Sequence, residues 1–206
     1  MRKLSGFALM EVAIAVCVMG VVTSVVVPMV RSMFAYARAV QSRHSMEHVM
    51  RALAVYVKLY DRLPWAANDS NGVEEESIAV GRVPFKTLSI EQECTKDGSK
   101  NDLVYIVNPK LTYWVPSSPL NKGSAFLQFA PNDNLRVLLE DESEAIAFDQ
   151  ESMDFCAVVL VSLPSKLSLG NVVQADGDHI VVKIPYKSSG VSVRWISRGN
   201  LSVLCN

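Results

Sequence analysis

The chain lacks a charge excess of either sign and lacks the common catalytic motifs. Its 206 residues include 20 Lys or Arg, 21 Asp or Glu and only three His, which gives a formal net charge of −1. General nucleic-acid-binding proteins carry a basic excess, so we expect no nucleic-acid partner. The patterns GxxxxGK[ST], GxGxxG, GxSxG and HExxH do not occur. We therefore predict no catalytic residues, no cofactor and no enzyme activity.

The charges are divided unevenly along the chain. Residues 1–60 hold seven basic and two acidic side chains, a net of +5, whereas residues 61–206 hold the other 13 basic and 19 acidic side chains, a net of −6. Hydrophobic residues make up 50% of the chain, and the mean hydropathy of +0.20 excludes a disordered protein. The sequence thus predicts two differently built parts that join near residue 60.

One apolar run is long enough to cross a membrane, and no second run of that length follows. The run covers Phe7–Val30, where 19 of 24 residues are apolar. As a helix it would span roughly 36 Å at about 1.5 Å per residue. A secretory signal peptide is the rival interpretation, but the run is too long and no small-residue cleavage site follows it. We predict a single, retained membrane helix; basic residues on both sides leave its orientation open.

Glu11 is the one acidic residue of this run. An acid at the centre of a membrane helix costs about 2.5–3.5 kcal/mol on insertion scales, and somewhat less near a helix end. One interpretation is an acid that reaches the lipid headgroups from the start of the helix. The other is a carboxylate kept for a specific positive partner.

The first 30 residues resemble the processing site of type IV prepilins. The leader of that family is short and basic and ends in Gly; Phe follows, and Glu stands at the fifth mature position. Residues 3–11 read KLSGFALME, so Gly6 would end the leader, Phe7 would be the new N-terminus and Glu11 would be the fifth residue. Two conservative departures from the usual residues occur, Ala8 and Met10.

The resemblance implies processing, partners and a location. A prepilin peptidase would cut after Gly6 on the cytoplasmic side and methylate the amine of Phe7. Glu11 would pair with the N-terminal ammonium of a neighbouring pilin or pseudopilin subunit. Assembly would use an inner-membrane platform with an ATPase. The chain would be a single-pass protein of the bacterial inner membrane with a periplasmic C-terminal domain, and part of a pilus or pseudopilus after assembly.

Gly20 and Pro28 fall where the family's helix commonly carries Gly and Pro, so the resemblance gives them a role in assembly. Pro28 lacks an N–H and clashes with the preceding turn, which predicts a kink or local unwinding. Gly and Pro are also ordinary residues of membrane helices, so both positions have this simpler interpretation.

The choice between a minor pilin and a type II secretion pseudopilin stays open. The alternative function is a single-pass anchored binding domain that forms no filament.

The helical pattern continues beyond the apolar run, with no Gly or Pro between Val30 and Leu63. We predict one helix over residues 7–60, about 80 Å long if continuous. Within it, His44, Glu47 and His48 match the H-x-x-E-H pattern of some zinc proteases. A catalytic zinc site needs a third protein ligand, so we interpret the motif as a polar patch and predict no metal site.

Residues 61–206 carry turn and strand signals. Pro64 disfavours helix before it, the acidic run Glu74-Glu75-Glu76 predicts a solvated loop, and Trp65 and Phe85 should hold this loop on the domain. Residues Leu103–Val107 and Leu111–Val115 predict a hairpin. A turn is expected at residues 175–178, where Asp176 and Asp178 make calcium the weaker interpretation. The other predicted strands are Ala125–Phe129, Leu135–Leu139, Ala145–Phe148, Cys156–Leu163, His179–Ile184, Val191–Ile196 and Leu201–Leu204.

The predicted fold class is α+β, with a long, partly transmembrane N-terminal helix packed on an antiparallel β-sheet, as in pilins. Four parts follow from the pattern and the resemblance: a leader (1–6), a transmembrane and assembly helix (7–30), its amphipathic continuation (31–60) and an α+β globular domain (61–206).

Four cysteines occur. Cys17 lies in the apolar run and is predicted to be a small apolar filler. Pairing of Cys156 with Cys205 is preferred, since it resembles the C-terminal disulfide loop of many pilins. It would close a loop of about 50 residues, worth roughly 4 kcal/mol in the chain-entropy account. Cys94 is the alternative partner for either residue, and the absence of C-x-x-C spacing disfavours a metal site.

Overall fold

The computed structural model describes residues 7–113, 134–139, 156–163, 169–176, 179–184, 191–197 and 200. Its residues fall into two compact units, one that ends at Arg38 and one that begins at Ala39. We call them the N-terminal unit and the C-terminal unit.

A single α-helix, α1, covers Phe7–Tyr60, 54 residues, as the sequence predicts. It ends at Tyr60 because the next residue takes a left-handed conformation. Asp61 has a φ of 54° and its backbone N–H donates to the carbonyl of Val57 at 2.8 Å, which caps the last turn. Asp tolerates this conformation better than most residues, and Pro64 prevents the helix from resuming.

Four strands form an antiparallel sheet in the spatial order β1-β2-β4-β7. They are β1 (Val80–Arg82), β2 (Val104–Val107), β4 (Cys156–Ser162) and β7 (Ser192–Ser197). The predicted α+β fold, a long N-terminal helix with an antiparallel sheet, is therefore confirmed, and the arrangement is consistent with a pilin-like fold.

A second sheet, which the sequence analysis did not predict, has the order β3-β6-β5. Its strands are β3 (Leu135–Leu139), β5 (Val173–Asp176) and β6 (His179–Ile184). β5 and β6 are antiparallel, whereas β3 and β6 are parallel. Three short 3₁₀ helices complete the described elements: Gln92–Thr95, Pro109–Leu111 and Leu169–Asn171.

The core of the C-terminal unit lies on both faces of the antiparallel sheet. On one face, side chains of α1 such as Met46 and Leu53 pack with Tyr105 and Leu160. The other face contributes Val159 to a second cluster, which the second sheet completes; its members include Val161, Leu135, Val137, Ile180 and Val182. All seven residues of β4 are buried, because this strand is covered on both sides. The sequence prediction of a buried strand here is confirmed.

The predicted hairpin over residues 103–115 is wrong. β2 forms as predicted, but the chain then turns through the 3₁₀ helix Pro109–Leu111 instead of returning as a strand. The Asn108 side chain accepts a hydrogen bond from the N–H of Lys110 at 3.1 Å, and the Thr112 hydroxyl donates to the carbonyl of Pro109 at 2.7 Å. These local bonds compete with strand pairing. β2 instead pairs with β1 and β4.

The first two residues of the turn expected at 175–178, Ala175 and Asp176, belong to a strand instead. Val173–Asp176 forms β5, with Asp176 opposite His179 of β6. Asp178 and the side chain of Asp176 lie outside the described residues, so the calcium alternative stays untested. The predicted strands over 125–129, 145–148 and 201–204 also lie outside them.

Candidate functional site

The first half of α1 exposes apolar side chains on all sides. Met10, Met19 and Val21 have exposed fractions of 69%, 72% and 68%. By length and composition, α1 is the one helix of the described chain that is long and apolar enough to cross a membrane. Contiguous apolar surface of this size is not left in water by soluble proteins. A surface of this kind is typical of a segment that could span a membrane.

Glu11 is exposed among these apolar side chains. No ion pair or hydrogen bond to it occurs within the described part of the chain. In an apolar environment, the positive charge that compensates Glu11 therefore comes from outside the described part of this chain. Phe7 is the first described residue of α1, though its side chain is not described, and Gly6 lies outside the described residues.

The hydroxyl groups of this region are satisfied within the helix. Thr23 donates to the carbonyl of Met19 at 2.6 Å, and Ser24 donates to that of Val21 at 2.7 Å. Ser32 does the same to Met29 at 2.7 Å. Because these donors already have acceptors, the helix presents little unsatisfied polarity besides Glu11. Such a surface suits a lipid or a tightly packed helical environment.

Gly20 and Pro28 both lie inside continuous α-helix. A Cβ atom at Gly20 would meet nothing within 4 Å, so no contact within this chain requires glycine there. The local unwinding predicted at Pro28 does not occur. Proline removes the hydrogen bond that residue 28 would donate to the carbonyl of Ser24, but the turns on either side keep theirs. The stretch from Gly20 to Pro28 is helical with one bond missing.

A second feature lies in the C-terminal unit, where Arg62 and Glu74 form a bidentate ion pair. Arg62 Nη1 donates to Glu74 Oε2 at 2.8 Å, and Nη2 donates to Oε1 at 2.6 Å. The carboxylate also accepts from the backbone N–H of Trp65 at 3.0 Å and from the hydroxyl of Tyr56 at 3.3 Å. The pair joins the end of α1 to the loop that follows it.

The contacts around Glu74 shift the pKa values of Glu74, Arg62, Tyr56 and Tyr105, and the hydrogen bond between Arg62 and Glu74 raises that of Arg62. Burial pushes the pKa of Glu74 up, but the hydrogen bonds from Arg62 and from the Trp65 N–H prevail, and its pKa is lowered. Burial and then the negative charge of Glu74 raise the pKa of Tyr56 to about 12. Burial raises the pKa of Tyr105 well above its usual value. Its hydroxyl donates to the carbonyl of Pro64 at 2.9 Å. Glu74 thus stays ionised where an ordinary Glu begins to protonate.

An open depression of about 380 Å³ lies beside this ion pair. The ring of Trp65 is buried and meets the half-exposed ring of Tyr113 edge-on, with centroids 5.5 Å apart. The described residues that line the depression are Arg62, Trp65, Glu74, Glu76, Thr112 and Tyr113.

The acidic run 74–76 is only in part the solvated loop that the sequence predicts. Glu75 and Glu76 are exposed, whereas Glu74 is held by Arg62. The expectation that aromatic residues hold this loop is confirmed for Trp65, which is buried, and for Phe85. The ring of Phe85 packs where a side chain at Gly72 would stand, and Gly72 has a φ of 68° that favours glycine.

The H-x-x-E-H residues form a polar patch in the structure. His44 and His48 are exposed, and Glu47 Oε1 accepts from Arg194 Nη1 at 2.8 Å. Within the described ranges, no group of three His, Cys, Asp or Glu residues is placed to hold a metal ion. The carboxylate that a zinc protease would use as its base is engaged with an arginine.

No disulfide joins any two of the three described cysteines, Cys17, Cys94 and Cys156. Cys156 is buried, and its Sγ lies 3.8 Å from the carbonyl oxygen of Val158. Cys205 lies outside the described residues. Its pairing with Cys156, or with Cys94, stays a prediction.

Comparison with known proteins gives no match: no family model, curated protein or solved structure matches the chain.

Proposed function

We propose that the chain is a structural subunit of a type IV pilus or a type II secretion pseudopilus. One observation carries the proposal: a single helix of 54 residues has an exposed apolar first half with one acid and a second half in the core of a domain. The first half is available to neighbouring subunits or lipid, and the second half carries the domain. The N-terminal resemblance supplies the class of assembly.

The proposed role of Glu11 follows from electrostatics. A carboxylate enclosed by apolar side chains is strongly destabilised unless an opposite charge lies close to it. In a medium of low dielectric constant the attraction between such charges is several times larger than in water. The N-terminal ammonium of Phe7 on a neighbouring subunit is the partner we propose. A neighbour seated in the wrong register would leave both charges unmatched.

The proposal includes processing and location. A prepilin peptidase removes residues 1–6 and methylates Phe7, and the subunit waits in the bacterial inner membrane with its C-terminal domain in the periplasm. An inner-membrane platform with an ATPase then moves it into the filament. Gly20 and Pro28 loosen the helix during that step. The chain acts as a structural protein without a cofactor.

Processing is tested by co-expression with a prepilin peptidase and mass spectrometry of the mature N-terminus. We expect N-methylated Phe7. Gly6→Leu should block the cut, whereas Gly20→Leu should not, because a side chain at Gly20 meets nothing within 4 Å. An intact leader on the unaltered chain, under conditions in which a known prepilin is cut, would overturn the proposal.

Incorporation is tested with Glu11→Ala in a strain that assembles the filament. We expect normal processing and a large loss of the subunit from sheared or cross-linked filaments. Glu47→Ala is the matched control, because Glu47 is the only other acid of α1 and lies far from the apolar segment along the chain. Equal incorporation of both variants would contradict the charge pair.

The second candidate function is an anchored binding domain that forms no filament. The depression of about 380 Å³ beside Trp65 and Tyr113 is the observation that favours it. An uncut junction between Gly6 and Phe7, together with a chain that stays in the membrane fraction, would favour this function over the filament subunit.

A further inference from the structure

Two of the described residues that line the depression beside Trp65 offer groups to a ligand. Arg62 and Glu74 satisfy each other, and Glu74 also accepts from Trp65 and Tyr56. The ring of Tyr113 is 53% exposed, and Glu76 is exposed and forms no ion pair within the described part of the chain.

The exposed ring of Tyr113 and the carboxylate of Glu76 together favour a planar cation as the ligand. A guanidinium stacks on an aromatic ring while it donates to a carboxylate, which an ammonium does less well. Among the described lining residues, Arg62, Glu74 and Glu76 together leave one net negative charge. A ligand of opposite charge balances that site.

We propose that the depression receives an arginine of a second copy of this chain, from residues 31–43. This inference rests on the proposed function, because filament assembly is what brings two copies side by side. It names a second contact between them, separate from the pairing of Glu11 with a neighbour's N-terminus.

Charge complementarity within the sequence supports this occupant. Residues 31–46 contain three arginines, at 31, 38 and 43, and no acid. All three arginines are exposed on α1. Residues 61–206, which include every described lining residue of the depression, carry a net charge of −6. A basic helical stretch and an acidic domain on the same chain attract each other between copies.

The test is photo-crosslinking of the full chain in the strain that assembles the filament. The photoreactive residue p-benzoylphenylalanine replaces Tyr113 and keeps an aromatic ring there, and the chain is co-expressed with a prepilin peptidase. Copies with light and heavy isotopes are mixed so that only crosslinks between copies carry both labels. We expect a crosslinked dimer whose second peptide falls within residues 31–43.

Charge-reversal variants measure how much the ion pair contributes to the yield of crosslinked dimer. Glu76→Lys should lower the dimer yield about fivefold, the size expected for an exposed ion pair with a ring contact. Reversal of the mapped arginine to Glu in the same chain should restore it. Glu75→Lys is the matched control, since Glu75 is exposed but does not line the depression.

Each outcome decides between the two proposals. Crosslinks that join residues of one copy, map outside 31–43 or attach another protein overturn the inference, as does an unchanged yield in Glu76→Lys. If the same chains begin at N-methyl-Phe7 and need Glu11 for incorporation, the filament proposal survives that failure. A mapped dimer between chains with intact leaders supports the contact and overturns the filament.

Discussion

The two halves of α1 are both rich in apolar residues, but only the second half buries a row of them in a core. Met19 is 72% exposed, whereas Met46 is fully buried against the sheet. The difference lies in the polar residues between the apolar ones. From Arg43 onward, charged side chains occupy one face and leave an apolar stripe, but between Val12 and Val30 no charge marks any face. A helix that is apolar all round needs cover on every side, which one small domain cannot supply.

The largest expected effect compares two identical substitutions. Met46→Ala removes a fully buried side chain and should lower the free energy of unfolding by about 3 kcal/mol, within the usual range of 2–5 kcal/mol. Met19→Ala should leave the free energy of unfolding unchanged in detergent, because the Met19 side chain is mostly exposed and belongs to neither described core cluster. Urea unfolding followed by Trp fluorescence measures both. Equal losses would show that the first half of α1 contributes to the domain's stability.

A smaller loss of stability is expected at the ion pair between Arg62 and Glu74, just after the end of α1. Glu74→Gln removes the charge from the pair with Arg62 and should cost about 1–3 kcal/mol at pH 7. The pKa of Glu74 is lowered on folding, so its stabilisation is present above its unfolded pKa and is lost as pH falls through the folded pKa.

The difference between the unaltered chain and Glu74→Gln should therefore shrink as the pH is lowered below about 4. Glu75→Gln, at an exposed position in the same run, should change stability by less than about 0.5 kcal/mol. A Glu74→Gln cost that stays constant down to pH 2 would argue that the pair acts through packing alone.

The smallest effect concerns the exposed face of the same half. Glu47 and Arg194 pair at 2.8 Å, but both side chains are nearly half exposed. Such pairs contribute about 0–1 kcal/mol, so Glu47→Ala should be close to neutral at low salt and neutral at high salt. Thermal unfolding with and without zinc checks this. A zinc-dependent shift in the unaltered chain, lost in Glu47→Ala, would revive the metal interpretation.

The sequence predicted elements whose signals are local. The bounds of α1 follow from a long stretch without Gly or Pro after Pro28 and from Pro64 beyond its end. β4 and β6 were predicted because their apolar patterns are complete in themselves. The second sheet was not predicted, because β3 and β6 pair in parallel and lie far apart in the sequence. β1, with three residues, is too short to show any period.

Site residues, too, could be predicted only where a local motif marks them. The N-terminal residues Gly6, Phe7 and Glu11 could be named because a motif holds them at fixed spacing. The role of Glu74 could not be predicted, because three successive glutamates look alike in the sequence. Only the folded structure distinguishes Glu74, which pairs with Arg62, from its two exposed neighbours. The turn Gly72, which accommodates the ring of Phe85, was the available signal that the loop folds back on the domain.

The position of β4 makes the antiparallel sheet depend on β7. β4 lies between β2 and β7, and β7 covers Ser192–Ser197. Without β7, the backbone N–H and C=O groups along one side of β4 would have no partner strand, although all seven residues of β4 are buried. A strand that is covered on both faces would then have an open edge, onto which a strand of another molecule can add. Loss of β7 would therefore open the centre of the domain to aggregation.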